Sequence, residues 1–168
     1  MPNKQIATDK YNVDSNKPTD EEKNLFITAF SDGSFCPETK AWGVGIWIRD
    51  GCGSAKTLSF GGTGIAKSSM VEERGLQELV RYIKENINYQ KRVIVIECDS
   101  SGALEKVNKT EFPGAKFVKL KHVKGHTNNK TSRTKVNKMV DKLAGEEMNK
   151  YREEVRRKRQ LQQAKFSE

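Results

Sequence analysis

Val93-Ile94-Val95-Ile96-Glu97-Cys98-Asp99 is the stretch on which the fold turns. Its first four residues are apolar, β-branched and unalternated. That pattern suits a strand covered on both faces, and hence one with a parallel neighbour. Three candidate strands precede it. Leu25 to Phe30 is a short aromatic and β-branched run ending at Ser31-Asp32-Gly33-Ser34, and Trp42 to Ile48 is closed by the turn signal Asp50-Gly51. Thr57 to Gly61 returns antiparallel, which makes the first three strands a meander. Between the meander and the decisive run, Leu76, Leu79, Val80, Ile83 and Ile87 recur at helical spacing behind Ser68 and Ser69, residues suited to capping. After it, a short helix is expected over Ser101 to Asn108, stopped before Pro113, and a strand over Phe117 to Val123. A loop from Lys124 to about Arg133 then leads to a last helix carrying Val136, Met139, Val140, Leu143 and Ala144. The order β-β-β-α-β-α-β-α implies an α/β fold: a five-stranded mixed sheet, antiparallel meander plus parallel strands, flanked by helices.

The 168 residues suit one domain, read as residues 24–148, with polar extensions on either side. Residues 1–23 have almost nothing to bury and read as a disordered arm; residues 149–168 form a basic tail of helix-forming composition. No run of about 18 apolar residues could span a membrane, and the first residues lack the apolar stretch of a secretory signal. A soluble, cytoplasmic monomer is the expectation. Cys36, Cys52 and Cys98 are an odd set without a C-x-x-C pair, and with only His122 and His126 beside them a zinc site is hard to build. They read as free thiols. The net charge of +9 favours polyanions, either nucleic acid or an acidic membrane face.

The chemistry lies in the carboxylates. Asp32 follows the first strand and Asp99 follows the buried fourth; functional groups collect at the carboxyl ends of parallel strands. If those strands are parallel neighbours, about 4.8 Å apart, the two carboxylates sit side by side and repel. A divalent cation resolves the conflict, and Mg²⁺ suits all-oxygen ligands. The intervening helix offers Glu72 and Glu73. On a helical wheel its apolar stripe averages roughly 36° from Glu72 and roughly 64° from Glu73. Glu72 is the better placed, by a small margin, and Glu73 stays the alternative.

Phe30-Ser31-Asp32-Gly33-Ser34, Trp42-Gly43-Val44-Gly45, Ser69-Met70-Val71-Glu72, Glu97-Cys98-Asp99-Ser100, Val123-Lys124-Gly125-His126 and Asn137 to Ala144 follow one another in an order that resembles the type 1 ribonucleases H, including the related domain of reverse transcriptases. Asp-Gly-Ser and Val-Lys-Gly-His are the specific segments. The resemblance implies the RNase H-like fold and hydrolysis of the RNA strand of RNA–DNA hybrids by two Mg²⁺ ions, replaceable by Mn²⁺, leaving 5′-phosphate and 3′-hydroxyl ends. It implies that Asp32 bridges both metals, that Glu72 and Asp99 hold one, and that Asp141 holds the other. Asp141 itself falls off the Val136–Leu143 stripe and rests on the resemblance. His126 matches a histidine that assists proton transfer or product release. Gly33 and Ser34 match backbone groups that read the ribose 2′-OH, with Gly33 letting the main chain approach the minor groove.

Departures from the family pattern are specific. Ser69 and Ser101 stand where the family often has amides, so contacts to the hybrid should be weaker or shifted. The spacing from His126 to Asp141 is longer than in the common bacterial form. The basic insertion that some members carry before the last strand is missing, and Arg152, Arg156, Arg157, Lys158 and Arg159 are expected to substitute for it in part. Two other readings compete: a different nuclease on the same fold, such as a resolvase or exonuclease, and a non-catalytic hybrid- or duplex-binding module.

Overall fold

The structure, a computed structural model, describes residues 19–123 and 132–167. Its elements are α1 (Asp20–Leu25), β1 (Phe26–Phe35), β2 (Trp42–Asp50), β3 (Lys56–Gly62), α2 (Ser68–Asn86), β4 (Val93–Cys98), α3 (Ser101–Glu105), a 3₁₀ turn (Lys109–Glu111), β5 (Phe117–His122) and α4 (Ser132–Phe166). The strands form one sheet in the order β3-β2-β1-β4-β5. β1 pairs antiparallel with β2 and parallel with β4, and β4 pairs parallel with β5. The five-stranded mixed sheet expected from the sequence is the one observed.

Alternation along the strands divides the core between two faces. Ile27, Ala29, Val44, Ile46, Ile48, Ile94 and Ile96 meet Val71, Leu76, Leu79 and Ile83 of α2. Each such fully buried Val, Leu or Ile side chain contributes about 1.5–3 kcal/mol. On the other face Phe30 and Trp47 pack against Val140 of α4. Here the structure corrects one expectation: Val93 and Val95, on the face of β4 away from α2, are half-exposed, because α4 runs across β1, β2 and β3 and leaves the start of β4 uncovered; on that face only Glu97 is buried.

Gly43 and Gly45 are what let α4 lie so close. A Cβ on Gly43 would overlap the carbonyl oxygen of Ala144, and one on Gly45 that of Val140. Other boundaries shift. The arm read as disordered to Lys23 ends in α1, whose start is fixed by a capping box: Glu22 N–H donates to Thr19 Oγ1 (3.2 Å) and Thr19 N–H to Glu22 Oε2 (3.0 Å). Ser68 and Ser69 do not cap α2. They are its first two residues, and Lys67 at the cap position makes no side-chain bond. α3 stops at Glu105, short of Asn108, and the chain tightens into the 3₁₀ turn. β1 does not end at Asp32 but continues along β2 to Phe35; only its parallel pairing with β4 stops there, at Ser31 opposite Cys98.

Candidate active site

The end of that parallel pairing is where the carboxylates gather. β1 carries on past β4, so Asp32 stands immediately beside Asp99, the first residue after β4. Asp32 is 5% exposed. Glu72, in the first turns of α2, enters from one face of the sheet. The Gly33 N–H donates to Glu72 Oε1 (3.2 Å) as well as to Asp32 Oδ1 (2.9 Å), tying the two side chains through one amide. Asp141, exposed on the flank of α4, enters from the other face, close enough to act on the charges of Asp32 and Asp99.

The electrostatic consequence is mutual repulsion among desolvated acids. Burial first, then the charges of Asp99, Glu72 and Asp141, push the Asp32 carboxyl up to about 8. Burial first, then Asp99, push Glu72 up to about 7, against the bonds from Gly33 and from the Cys98 thiol. Asp99 is raised as well, chiefly by burial and further by Asp141, while the charge of His122 pulls it down. Donor atoms of Glu72, Cys98 and Asp99 lie within 4.8 Å of one another. The Cys98 thiol is pushed far up by burial and by Glu72, so it stays protonated and donates to Glu72 Oε2 (3.7 Å). The donors left for a cation are hard carboxylate oxygens, crowded and short of charge compensation. That set fits a hard divalent ion such as Mg²⁺.

Glu72 and Glu73, neighbours in sequence, part company here. Glu73 points away and pairs with Lys106 of the α3 segment. That pair lines a groove of about 460 Å³ between α2 and α3, where Lys84 and Glu111 also pair (2.7 Å). Charges in that groove are compensated internally, unlike those around Asp32. Gly33 has a packing use besides the one expected. A Cβ there would come within 2.9 Å of Val71 and 3.2 Å of Glu72, so the glycine brings α2 and its carboxylate against β1, and its N–H is already engaged. Ser34 is half-buried on the rim, next to Gly43 in the ladder. Ser69 and Ser101 are exposed at the starts of α2 and α3. His126 lies outside the described residues, as does the Val-Lys-Gly-His loop beyond Val123.

Two residues were not singled out from sequence. Cys98 is a donor to Glu72 rather than a bystander thiol. His122 Nε2 sits 2.9 Å from the backbone oxygen of Asp99 and fixes the turn on which that carboxylate rides. Parallel registration of Cys98 with His122 is the signal that would have found it, once β5 is set beside β4.

The sheet order, the helices on both faces and acids converging at the end of a parallel strand pair define a ribonuclease H-like fold. Solved structures with this fold superpose on most of the chain. A ribonuclease H1 from the halophilic archaeon Halobacterium salinarum matches with a TM-score of 0.53 and 18% identity, over 74% of this chain and 98% of that one. The N-terminal RNase H domain of a Mycobacterium tuberculosis protein matches with a TM-score of 0.56 and 14% identity, over 77% and 98%. The protease–reverse transcriptase of prototype foamy virus matches with a TM-score of 0.54 and 18% identity, over 73% of this chain but 20% of that one. No protein-family model matches the chain, and neither does any curated protein sequence.

Proposed function

We propose that the protein is a ribonuclease H-type nuclease that hydrolyses the RNA strand of RNA–DNA hybrids with the help of divalent cations. The observation that carries this reading is the convergence of Asp32 on β1, Glu72 on α2, Asp99 just after β4 and Asp141 on α4, where the acids' charges act on one another. A fold does not choose a substrate; the specific support for a hybrid is the set of Asp-Gly-Ser and Val-Lys-Gly-His segments and the basic surface that accompanies them. The carboxylates of Asp32, Glu72, Asp99 and Asp141 would hold the ions, which the resemblance puts at two. When bound, such ions supply charge stabilisation to the phosphoryl oxygens and lower the pKa of an attacking water.

The chain's own residues do the positioning. The Gly33 amide holds Asp32 and Glu72 at a fixed separation, the Cys98 thiol keeps Glu72 turned inward, and His122 anchors the Asp99 backbone. Such fixed donors restrict the carboxylates to the geometry in which they act, which is where most of a hydrolytic enzyme's advantage lies. His126 is proposed to assist proton transfer or product release, as the resemblance implies.

The test incubates the full chain with Mg²⁺ and labelled RNA–DNA hybrid, duplex RNA or duplex DNA, beside Asp99→Asn. RNA cleavage confined to the hybrid and lost in the variant is the expected result. No cleavage of any substrate with Mg²⁺ or Mn²⁺ rules the reading out, and cleavage of DNA junctions or ends instead points to another nuclease on this fold.

A further inference from the structure

α4 is far longer than the sheet it packs on. Its 35 residues span about 52 Å at 1.5 Å per residue, and its packing against β1, β2 and β3 runs from Val136 to Tyr151. Beyond Tyr151 the helix continues past the β1–β2 turn. At 100° per residue, Arg152, Arg156 and Arg159 fall within roughly 60° of Asp141 around the helix axis, at about 16, 22 and 27 Å along it. The flank that delivers Asp141 to the carboxylate cluster is therefore the flank that carries these three arginines. Arg157 and Lys158, which the sequence groups with them, point elsewhere, and Lys158 pairs with Glu154 (3.1 Å).

Gly145 lies between the cluster and the arginines, on the same flank, one turn after Asp141. A glycine inside a helix is unfavourable by about 1 kcal/mol relative to alanine. Elsewhere in this molecule a glycine beside α4 has a packing reason: Gly43 and Gly45 would collide with the helix backbone if they bore a Cβ. Gly145 has none, since a Cβ there meets nothing within 4 Å. The bare stretch of helix faces outward, next to the candidate active site.

The acidic partners of Arg156 and Arg159 are both exposed. Arg156 donates to Glu38 Oε2 (3.1 Å) and Arg159 to the Glu38 backbone oxygen (3.2 Å) while lying 4.0 Å from Glu38 Oε1, so one exposed glutamate on the β1–β2 turn serves two guanidinium groups. Arg156 also lies 3.6 Å from Glu153. The Nε of Arg152 is buried without a hydrogen-bond partner among the described residues. We infer that this flank of α4 is a track for one strand of an RNA–DNA hybrid: its sugar–phosphate backbone passes over Gly145, and its phosphates bind Arg152, Arg156 and Arg159. Glu38 is the internal counterion that the phosphates replace. Arginine suits the role because its planar fork matches phosphate oxygens. The inference rests on the nuclease reading for its choice of ligand.

The test measures binding of a fluorescein-labelled 20-base-pair RNA–DNA hybrid by anisotropy, in Ca²⁺ and across a salt series, with cleavage in Mg²⁺ followed separately. Arg156→Gln/Arg159→Gln should weaken binding about tenfold and lower the slope of log affinity against log salt by about two. Glu38→Gln breaks the same latch yet leaves the cations, so it should bind at least as tightly as wild type. Gly145→Gln replaces glycine by a good helix former, so its melting temperature should not fall while hybrid binding weakens at least fivefold. If all three variants keep wild-type affinity and slope while the wild type cleaves hybrid, the track is wrong and the nuclease reading stands. If Glu38→Gln loses as much affinity as the double arginine variant, the arginines only brace the turn and the track is again wrong. A wild type that binds through the arginines but cleaves nothing keeps the track and removes the nuclease reading.

Discussion

Near one end of α4, Asp141 joins three other carboxylates whose supports come from several elements; near the other end, Arg156 and Arg159 share a single glutamate on a turn. In the first region Asp32 is almost fully buried, one backbone amide serves two acids, a thiol donates to the second of them and a histidine pins a backbone carbonyl. The second region is exposed, and few contacts define it. The difference follows from what each must do. Like charges forced together in a desolvated place stay there only if many fixed contacts hold them. A cationic surface meant for a polyanion needs charge and reach more than exact geometry.

The comparison breaks most sharply at its rigid end. Replacing Asp32 by Asn or Glu72 by Gln keeps shape but removes a charge where hard oxygens are crowded, and hybrid cleavage should fall by about 10³-fold, ~4 kcal/mol of barrier. Steady-state cleavage assays with matched circular dichroism spectra would check it; full activity in either variant removes that residue from the site.

Next comes the contact that aims Asp141. Gly45→Ala places a methyl against the Val140 carbonyl and within 2.9 Å of the Leu143 Cβ, so the helix must move. A loss of about 2–4 kcal/mol of stability is expected, seen as a lower melting temperature with weaker Mg²⁺ binding by calorimetry. An unchanged melting temperature would show that α4 is not seated on these glycines. Gly145→Gln, on the same helix, is the contrasting case because nothing in the fold opposes it.

Protonation gives a third, smaller effect. The folded-state pKa values of Asp32 and Glu72 are raised, so the folded protein binds protons that the unfolded chain has already lost. Their contribution to stability is fully present below the ordinary carboxylate range and disappears as the pH climbs through about 7 to 8. The metal-free protein should therefore lose melting temperature across that window, Mg²⁺ should restore it, and Asp32→Asn should flatten the curve by a few degrees. A metal-free curve that rises from pH 5 to 8 contradicts the crowding of the acids.

Sequence carried the fold because its signals are local. The unalternated Val93–Ile96 run, the turn at Asp50-Gly51 and the 3.6-residue period of α2 each report on their own element, and together they leave few ways to arrange a sheet. The capping box at Thr19 and Glu22 is equally local, but it lies in a polar stretch with no apolar period to mark a helix. Other features were not legible because they depend on registration between distant segments. His122 meets Asp99 only once β5 lies beside β4, Gly33 shows its packing role only once α2 is in place, and the pairing of Arg156 with Glu38 links residues 118 apart in the chain. Asp141 falls between the two. Its motif was readable, but its position depends on how closely Gly43 and Gly45 admit a helix.

The smallest expected effect is the one that best separates the acids of α2. Glu73 differs from Glu72 by one position and by roughly 100° around the helix, which turns it from the sheet toward Lys106. That pair is partly solvated, with side-chain exposures of 26% and 67%, so screening reduces its worth to about 0.5 kcal/mol. Glu73→Gln should leave cleavage within about twofold of wild type and move the melting temperature by about 2 °C or less. The groove between α2 and α3 would lose one ion pair and keep Lys84 with Glu111. A loss of activity comparable to that of Glu72→Gln would mean that α2 is rotated about its axis in the working protein, and that the bond between the Gly33 amide and Glu72 is not the contact that sets the site.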